Sequence, residues 1–234
     1  MSLRYLSLFS GVGGFDLGFD RAGMTCAGQV EIDDYCRRVL AKHWPDVLRM
    51  NDVREVQGDE FGAVDVICGG FPCQPHSLAG KRRGAADDRN LWPEYRRLVD
   101  AIRPAWVVGE NVPGLAHTML DEIISDLENL QYEVITLDIP AIAFDAPHIR
   151  RRLFIVAYSD GRRFQASNTE IRCVSKSDAQ GNEWGRNPWQ AESGVGRMVD
   201  GVPCRVDRLR ALGNAVVPQV AEWLGRRIVE VDRK

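Results

Sequence analysis

Along the first 157 residues, short apolar runs bounded by glycine, proline or aspartate alternate with longer stretches whose apolar positions recur at helical spacing. The short β-branched and aromatic runs predict strands. They fall over Tyr5–Phe9, Cys26–Glu31, Val47–Met50, Val64–Cys68, Ala105–Gly109, Tyr132–Leu137 and Leu153–Ala157. Helices are predicted between them: from the first glycines to about Ala22, from Asp33 and Asp34 to His43, over Leu91–Ile102, and over Thr118–Leu130. In the last of these Leu120, Ile123, Ile124 and Leu127 share one face. This alternation predicts an α/β fold, a mostly parallel sheet with helices on both faces. Such sheets bind ligands at the carboxyl ends of their strands, so the loops following strands are where chemistry is expected.

The pattern stops at Ser159. Of the 42 residues Ser159–Asp200 only 12 are hydrophobic, and glycine, serine, asparagine and arginine dominate. No period of a strand or a helix is visible, which predicts a long loop or a small irregular module. Arg205–Leu212 then leads into Gly213–Asn214 and a last apolar helix, Ala215–Val231. The chain therefore divides into residues 1–158, an irregular segment 159–204, and a C-terminal segment 205–234 that returns to the first unit.

Composition adds exclusions. No apolar run approaches the roughly 20 residues a membrane helix needs. The N-terminus reads as a strand entering a glycine loop rather than as a targeting signal. Six cysteines in 234 residues, none in a CxxC pair, indicate neither a disulfide scaffold nor a zinc site, so a reduced, cytoplasmic protein without a metal is expected. The formal net charge is −3, but it is unevenly spread. Residues 1–147 carry 14 basic against 23 acidic side chains, and residues 148–234 carry 16 against 10. That asymmetry has two readings, a polyanion-binding face or ordinary fluctuation.

Five motifs stand at strand ends. Phe9-Ser-Gly-Val-Gly-Gly-Phe15 follows the first strand, where glycines let backbone approach a nucleotide-like ligand, or simply make a tight turn. Glu31 ends the second strand, about 20 residues on, a position suited to ribose hydroxyls. Asp52 follows the third strand, placed to receive an exocyclic amine; helix capping is the alternative for both acids. The glycine loop has no Walker lysine, which disfavours an ATPase. Gly69-Gly-Phe-Pro72-Cys73-Gln74-Pro-His-Ser77 puts a cysteine between prolines on a stiff loop, suited to a nucleophile rather than to a core position. Glu110-Asn-Val-Pro-Gly114 sets a carboxyl facing the same crevice, able to share a proton, or a plain strand-end turn. Finally, Arg150 and Arg152 alternate along an extended segment entering a buried strand, so both face one side.

Taken in order, these motifs closely resemble the DNA (cytosine-5)-methyltransferase family. The resemblance covers Leu6 to about Ala157 and Arg205 to about Val229. It includes Asp88-Arg-Asn-Leu-Trp92 as a helix-start motif and Gly213-Asn-Ala-Val-Val-Pro218 as the last cofactor motif. It implies a Rossmann-like fold that uses S-adenosyl-L-methionine and releases S-adenosyl-L-homocysteine. By position in the motifs, Phe9 contacts adenine, and Gly11, Gly13 and Gly14 admit the methionine part. Glu31, beside Ile32, takes the ribose; Asp52, beside Val53, binds adenine; Asn214 closes over the cofactor.

The implied reaction is methyl transfer to C5 of a cytosine flipped out of double-stranded DNA. Cys73, flanked by Pro72, adds to C6. Glu110 binds N3 and the exocyclic amine, Arg152 binds O2, and Arg150 positions Glu110. Gln74 and Ser77 lie on the loop that closes over the base, and Lys81, Arg82 and Arg83 meet phosphates or remain a solvated basic loop. Arg162, Arg163, Arg172, Lys176 and Arg186 are candidates for DNA contact in the irregular segment, which corresponds to the family's recognition region and is short for it. Ser7 stands where the family often has aspartate, and His148 where it often has glutamine. A monomer is expected. The competing expectations are a transfer-RNA methyltransferase on the same fold, against which stands the lack of that branch's Cys-Phe-Thr tripeptide, and a catalytically silent DNA-binding homologue.

Overall fold

Successive side chains of a strand point to opposite faces of its sheet, so a strand buried on both faces must be apolar at nearly every position. The computed structural model of the chain, which describes residues 2–72, 90–146, 148–159 and 205–233, contains such strands. Among the described residues there are seven strands, β1 (Arg4–Leu8), β2 (Thr25–Val30), β3 (Arg49–Met50), β4 (Val66–Gly69), β5 (Trp106–Asn111), β6 (Tyr132–Pro140) and β7 (Arg151–Ser159), of which β4 and β5 are buried at every position while β3 and β6 are partly exposed. They form one sheet in the order β3-β2-β1-β4-β5-β7-β6. The first five pair in parallel, while β7 runs antiparallel to both β5 and β6. The sheet is thus mostly parallel, and the antiparallel pair at one edge is a feature that periodicity does not encode.

Among the described residues six α-helices accompany it: α1 (Gly14–Arg21), α2 (Asp34–His43), α3 (Trp92–Ile102), α4 (Leu120–Asn129), α5 (Arg205–Asn214) and α6 (Pro218–Asp232). Their ends follow local rules. Asp33 caps α2 by accepting the Cys36 amide at 3.0 Å, and prolines sit in the first turns of α3 and α6, where a missing N–H costs nothing. Leu6, Ile67, Val107 and Ile155 point to one face and meet α3 and α4 through Tyr95, Leu98, Ile123 and Leu127. Tyr5, Val66, Cys68, Trp106, Val108 and Phe154 point to the other face and meet α1 and α6 through Phe15, Phe19, Ala221, Leu224 and Ile228. Each of these side chains is buried, so the sheet carries a full apolar layer on both sides.

The C-terminal helix reaches the first helix by a close crossing. A Cβ added at Gly18 of α1 would lie 2.5 Å from the Ala221 methyl and 2.6 Å from the Pro218 carbonyl oxygen. Only a residue without a side chain permits that approach, which fixes where the chain enters α6 from residues 214–217.

Beneath the first loop lies a buried polar cluster. Asp16 of α1 is fully buried and accepts hydrogen bonds from Ser7 Oγ at 2.9 Å and Gln29 Nε2 at 2.8 Å. The Gln29 oxygen accepts in turn from Arg49 Nε at 2.9 Å, so the amide links the carboxylate to β3. Desolvation pushes the Asp16 carboxyl up to about 6, against the two hydrogen bonds that favour its charged form. A carboxyl raised in the folded state adds stability that is complete below its unfolded value, near 4, and lost as pH rises through about 6. Asp16→Asn keeps the acceptor for Gln29, and the Ser7 hydroxyl can turn to accept. The variant's urea midpoint is therefore expected to lose the decline that wild type shows between pH 4 and 6. Equal pH dependence in the two proteins would contradict this assignment.

Candidate active site

Where β1 ends, the backbone turns with Phe9 at φ 52°, Gly11 at φ 57° and Gly13 at φ 87°, all left-handed. For Phe9 that conformation costs about 1–2 kcal/mol, and it places the residue in the wall of a cleft of about 280 Å³. The Phe9 ring lies nearly parallel to that of Tyr95, with centroids 6.5 Å apart. A Cβ on Gly11 would meet nothing within 4 Å, since this glycine borders open space in the cleft. The other two glycines work differently. A Cβ on Gly13 would lie 2.6 Å from the Trp44 ring, and one on Gly14 would lie 2.4 Å from the Val216 carbonyl oxygen. Gly13 is packed against Trp44, a constraint that comes from α2 and its end rather than from the cleft. Gly14 presses the loop against the segment that precedes α6.

The ends of β2 and β3 complete the cleft. Glu31 accepts the Gly11 amide at 2.7 Å on Oε2 and the Asp33 amide at 2.8 Å on Oε1, so one carboxylate braces two loops. Each oxygen retains acceptor capacity toward the cleft that both loops border. Ile32 stands at the lip, 67% exposed despite its apolar side chain. Asp52 caps a short 3-10 turn, with Oδ1 accepting the Arg54 amide at 3.0 Å and Oδ2 lying 3.7 Å from Arg54 Nη1. Val53 is buried behind it. The opposite wall is Ala211, Asn214, Ala215 and Val216, from α5 and the link to α6. Phe9, Gly11, Gly14, Glu31, Ile32, Asp52, Val53 and Asn214 thus line one cleft, together with Pro72. Sequence reading passed over Asp33, Cys36 and Asn51, which also line it; their only signal was proximity to strand ends.

Beside the cleft, β4 and β5 end together. Asn111 Nδ2 donates to the Phe71 carbonyl at 3.0 Å, and the Leu91 amide to the Pro72 carbonyl at 3.3 Å. The chain entering residue 73 is therefore tied both to β5 and to the start of α3. Nothing in the strand-end motif distinguishes Asn111 as a holding residue; this bond does. Glu110 is buried at the end of β5, opposite Phe154 of β7. Because β7 is antiparallel, Arg152 falls two residues before Phe154, on the same face. Its Nε lies 2.8 Å from Glu110 Oε1. That N–H is not aligned on the oxygen, which has no other donor among the described residues. Burial raises the Glu110 carboxyl above its ordinary range, and Arg152 and then Arg150 offset part of the rise. The arrangement gives a carboxyl able to hold or release a proton in a desolvated corner.

Arg150 and Arg152 do face one side, and both border a small gap with Val217 and Val220. Their partners differ from the expectation. Arg152, not Arg150, pairs directly with Glu110, and Arg150 donates to the carbonyl oxygens of Gly213 at 2.6 Å and Ala215 at 2.9 Å. The reason is geometric: Arg150 lies before β7 begins, where the link to α6 passes it. Cys73, Gln74, Ser77, Lys81, Arg82 and Arg83 lie outside the described residues, as do Asp88, Arg162, Arg163, Arg172, Lys176, Arg186 and the rest of 160–204. Among the described residues no group of three or more potential ligands could hold a metal. No helix there is long and apolar enough to cross a membrane.

Residues 3–187 match the family model of the C-5 cytosine-specific DNA methylases. The chain belongs to that family. It is 36% identical over 161 residues to the type II methylase M.HgiEI of Herpetosiphon aurantiacus, covering 65% of this chain and 36% of that protein. With the type II methyltransferase M1.HphI of Haemophilus parahaemolyticus it shares 36% over 191 residues, covering 74% and 51%. The chain thus spans from a third to a half of the length of these relatives. Among solved structures, it resembles a protein described as a DNA modification methyltransferase encoded within an E. coli prophage, with a TM-score of 0.60 and 28% identity over 72% of this chain and 50% of that one. The Dnmt2 methyltransferase of S. pombe shares the fold at a TM-score of 0.61, with 20% identity over 84% and 66%.

In this member of the family the contact between Gly14 and Val216 is a close joint of the cleft. Gly14→Ala is expected to lower stability by about 1–3 kcal/mol, because backbone rather than a mobile side chain must move. Urea denaturation checks it, and an unchanged midpoint would contradict the packing described.

Proposed function

We propose that the chain transfers a methyl group from S-adenosyl-L-methionine to C5 of cytosine in double-stranded DNA. The observation that carries this reading is the desolvated Glu110–Arg152 pair at the end of β5, beside a cleft lined by Phe9, Gly11, Glu31 and Asp52. The donor set of the cleft suits the cofactor. Glu31 offers acceptors to the ribose diol, Asp52 an acceptor to the adenine amine, and Phe9 and Val53 apolar surface to the ring. Gly11 leaves room for the methionine part, and Asn214 bounds the far side. When bound, S-adenosyl-L-methionine supplies an electrophilic methyl group and leaves as S-adenosyl-L-homocysteine.

The chain's own residues do the rest. Cytosine C5 is a poor nucleophile until the ring is activated. The Cys73 thiolate adds to C6, pushing electron density toward C5. Glu110, with its raised carboxyl, hydrogen-bonds at N3 and the exocyclic amine as negative charge builds on the ring. Arg152 donates to O2. After methylation the C5 proton goes to a base, and Cys73 leaves as the C5–C6 double bond reforms. The stack of a duplex admits none of this, so the base is extruded at a cost of about a few kcal/mol. Pro72, which lines the cleft and accepts the Leu91 amide, is the residue from which the chain enters Cys73. Gln74, Ser77, Lys81, Arg82 and Arg83 would then meet DNA, and 159–204 would serve as a reduced recognition segment between the cofactor unit 1–158 and the returning segment 205–234.

Two measurements test this. Wild type is expected to move labelled methyl groups from S-adenosyl-L-methionine into duplex DNA as 5-methylcytosine, and Cys73→Ala to lose that transfer completely. Glu31→Gln, which sets an amide donor against backbone donors, is expected to weaken S-adenosyl-L-homocysteine binding tenfold or more, read by calorimetry. Transfer to transfer RNA but not DNA, or unaltered binding by Glu31→Gln, would overturn the corresponding part.

A further inference from the structure

Arg150 bonds not to the group beside its neighbour Arg152 but to the wall of the cofactor cleft. Its two terminal nitrogens donate to the Gly213 and Ala215 carbonyls, at 2.6 and 2.9 Å. Asn214, the residue between those carbonyls, lines the cleft, as do Ala215 and Val216. On its other side the same stretch is pressed by Gly14 of the glycine loop. The stretch begins in the last residues of α5, where the Ala215 amide still bonds the Leu212 carbonyl at 3.3 Å, and then runs outside either helix; Arg150, 63 residues before Gly213 in sequence, ties it to the start of β7. A planar guanidinium suits two carbonyls on alternate residues; an ammonium presents a single point of charge. Two residues on, Arg152 is paired with Glu110, so one short segment, 150–152, grips both sites.

We propose that Arg150 is a positioning residue for the cofactor, a clasp that holds the 213–216 wall against the glycine loop. This rests on reading the cleft as the S-adenosyl-L-methionine site. The clasp makes a distinctive demand on kinetics. Loss of Arg150 loosens the wall, so affinity falls first, while the Glu110–Arg152 pair that acts on the base remains.

The test compares wild type, R150A, R150K and R152Q by calorimetry with S-adenosyl-L-homocysteine and by steady-state methyl transfer. R150A is expected to weaken binding about tenfold or more and to raise the KM for S-adenosyl-L-methionine in parallel, with kcat at saturation changing far less. R150K is expected to recover part of the affinity, having the charge but not the fork. R152Q should bind within about twofold of wild type while its kcat collapses. Hydrogen exchange on wild type and R150K supplies a second readout that needs no alanine variant: amides of Ala215 and Val216 are expected to exchange faster in R150K, and the difference to shrink when the ligand is added. Binding by R150A and R150K equal to wild type, or a fall in kcat without a change in affinity, would overturn the clasp. Failure of wild type itself to bind the ligand would instead overturn the reading of the cleft.

Discussion

A carboxyl taken out of water is costly unless a cation or a proton accompanies it, and Glu110 is buried with Arg152 Nε at 2.8 Å. Much of the architecture around the site serves this pair. The parallel strands β4 and β5 end side by side, which brings Glu110 next to the segment Gly70–Pro72. The antiparallel run of β7 delivers Arg152 from the opposite direction. Gly70 has no side chain where one would lie 2.8 Å from Glu110 Oε2, so the carboxyl keeps its place against the β4 turn. Two opposing influences then set its character, burial raising its affinity for a proton and the arginines lowering it. A group so balanced suits a reaction in which a neutral ring acquires and loses charge.

The cleft obeys the same economy of placement. Three strand ends, β1, β2 and β3, supply its floor, and Glu31, Asp33 and Asp52 are each braced there by backbone amides. Its roof comes from the far end of the chain, over α5 and the link to α6. The glycine contacts at Gly14 and Gly18 set how closely that end approaches, and Arg150 ties it to β7. The cleft and the Glu110 corner thus share a small set of joints rather than a continuous wall.

Most strands and helices were legible from short apolar runs or a helical period, but α5, whose residues are largely charged or polar, was not predicted as a helix. Even the short β3 was anticipated from Val47–Met50. The direction of β7 was not legible, since an apolar run reads the same in either direction. Nor was the role of Asp16: a lone aspartate in a first helical turn looks like a favourable charge near a helix start, and its burial depends on Ser7 and Gln29 from two other strands. The substitution at Ser7 gains a reason here, because a hydroxyl donates to Asp16 where a second carboxylate would repel it. At the site, strand-end position sufficed to find Glu31, Asp52 and Glu110. It could not assign the partners of the two arginines, because a bond to residues 213 and 215 depends on how the chain returns. The packing of Gly13 against Trp44 was not legible for a related reason, since it depends on how α2 ends.

The most direct test of the account is covalent capture. A DNA duplex carrying 5-fluorocytosine cannot release its C5 substituent, so an enzyme that adds a thiolate at C6 and methylates C5 becomes trapped on it. The account predicts a denaturation-resistant complex of wild-type protein and such DNA, formed only with S-adenosyl-L-methionine, mapped to Cys73 by mass spectrometry and lost in Cys73→Ala. Folded protein that binds the cofactor yet leaves the duplex unmodified and untrapped, across DNA of mixed sequence, would contradict it.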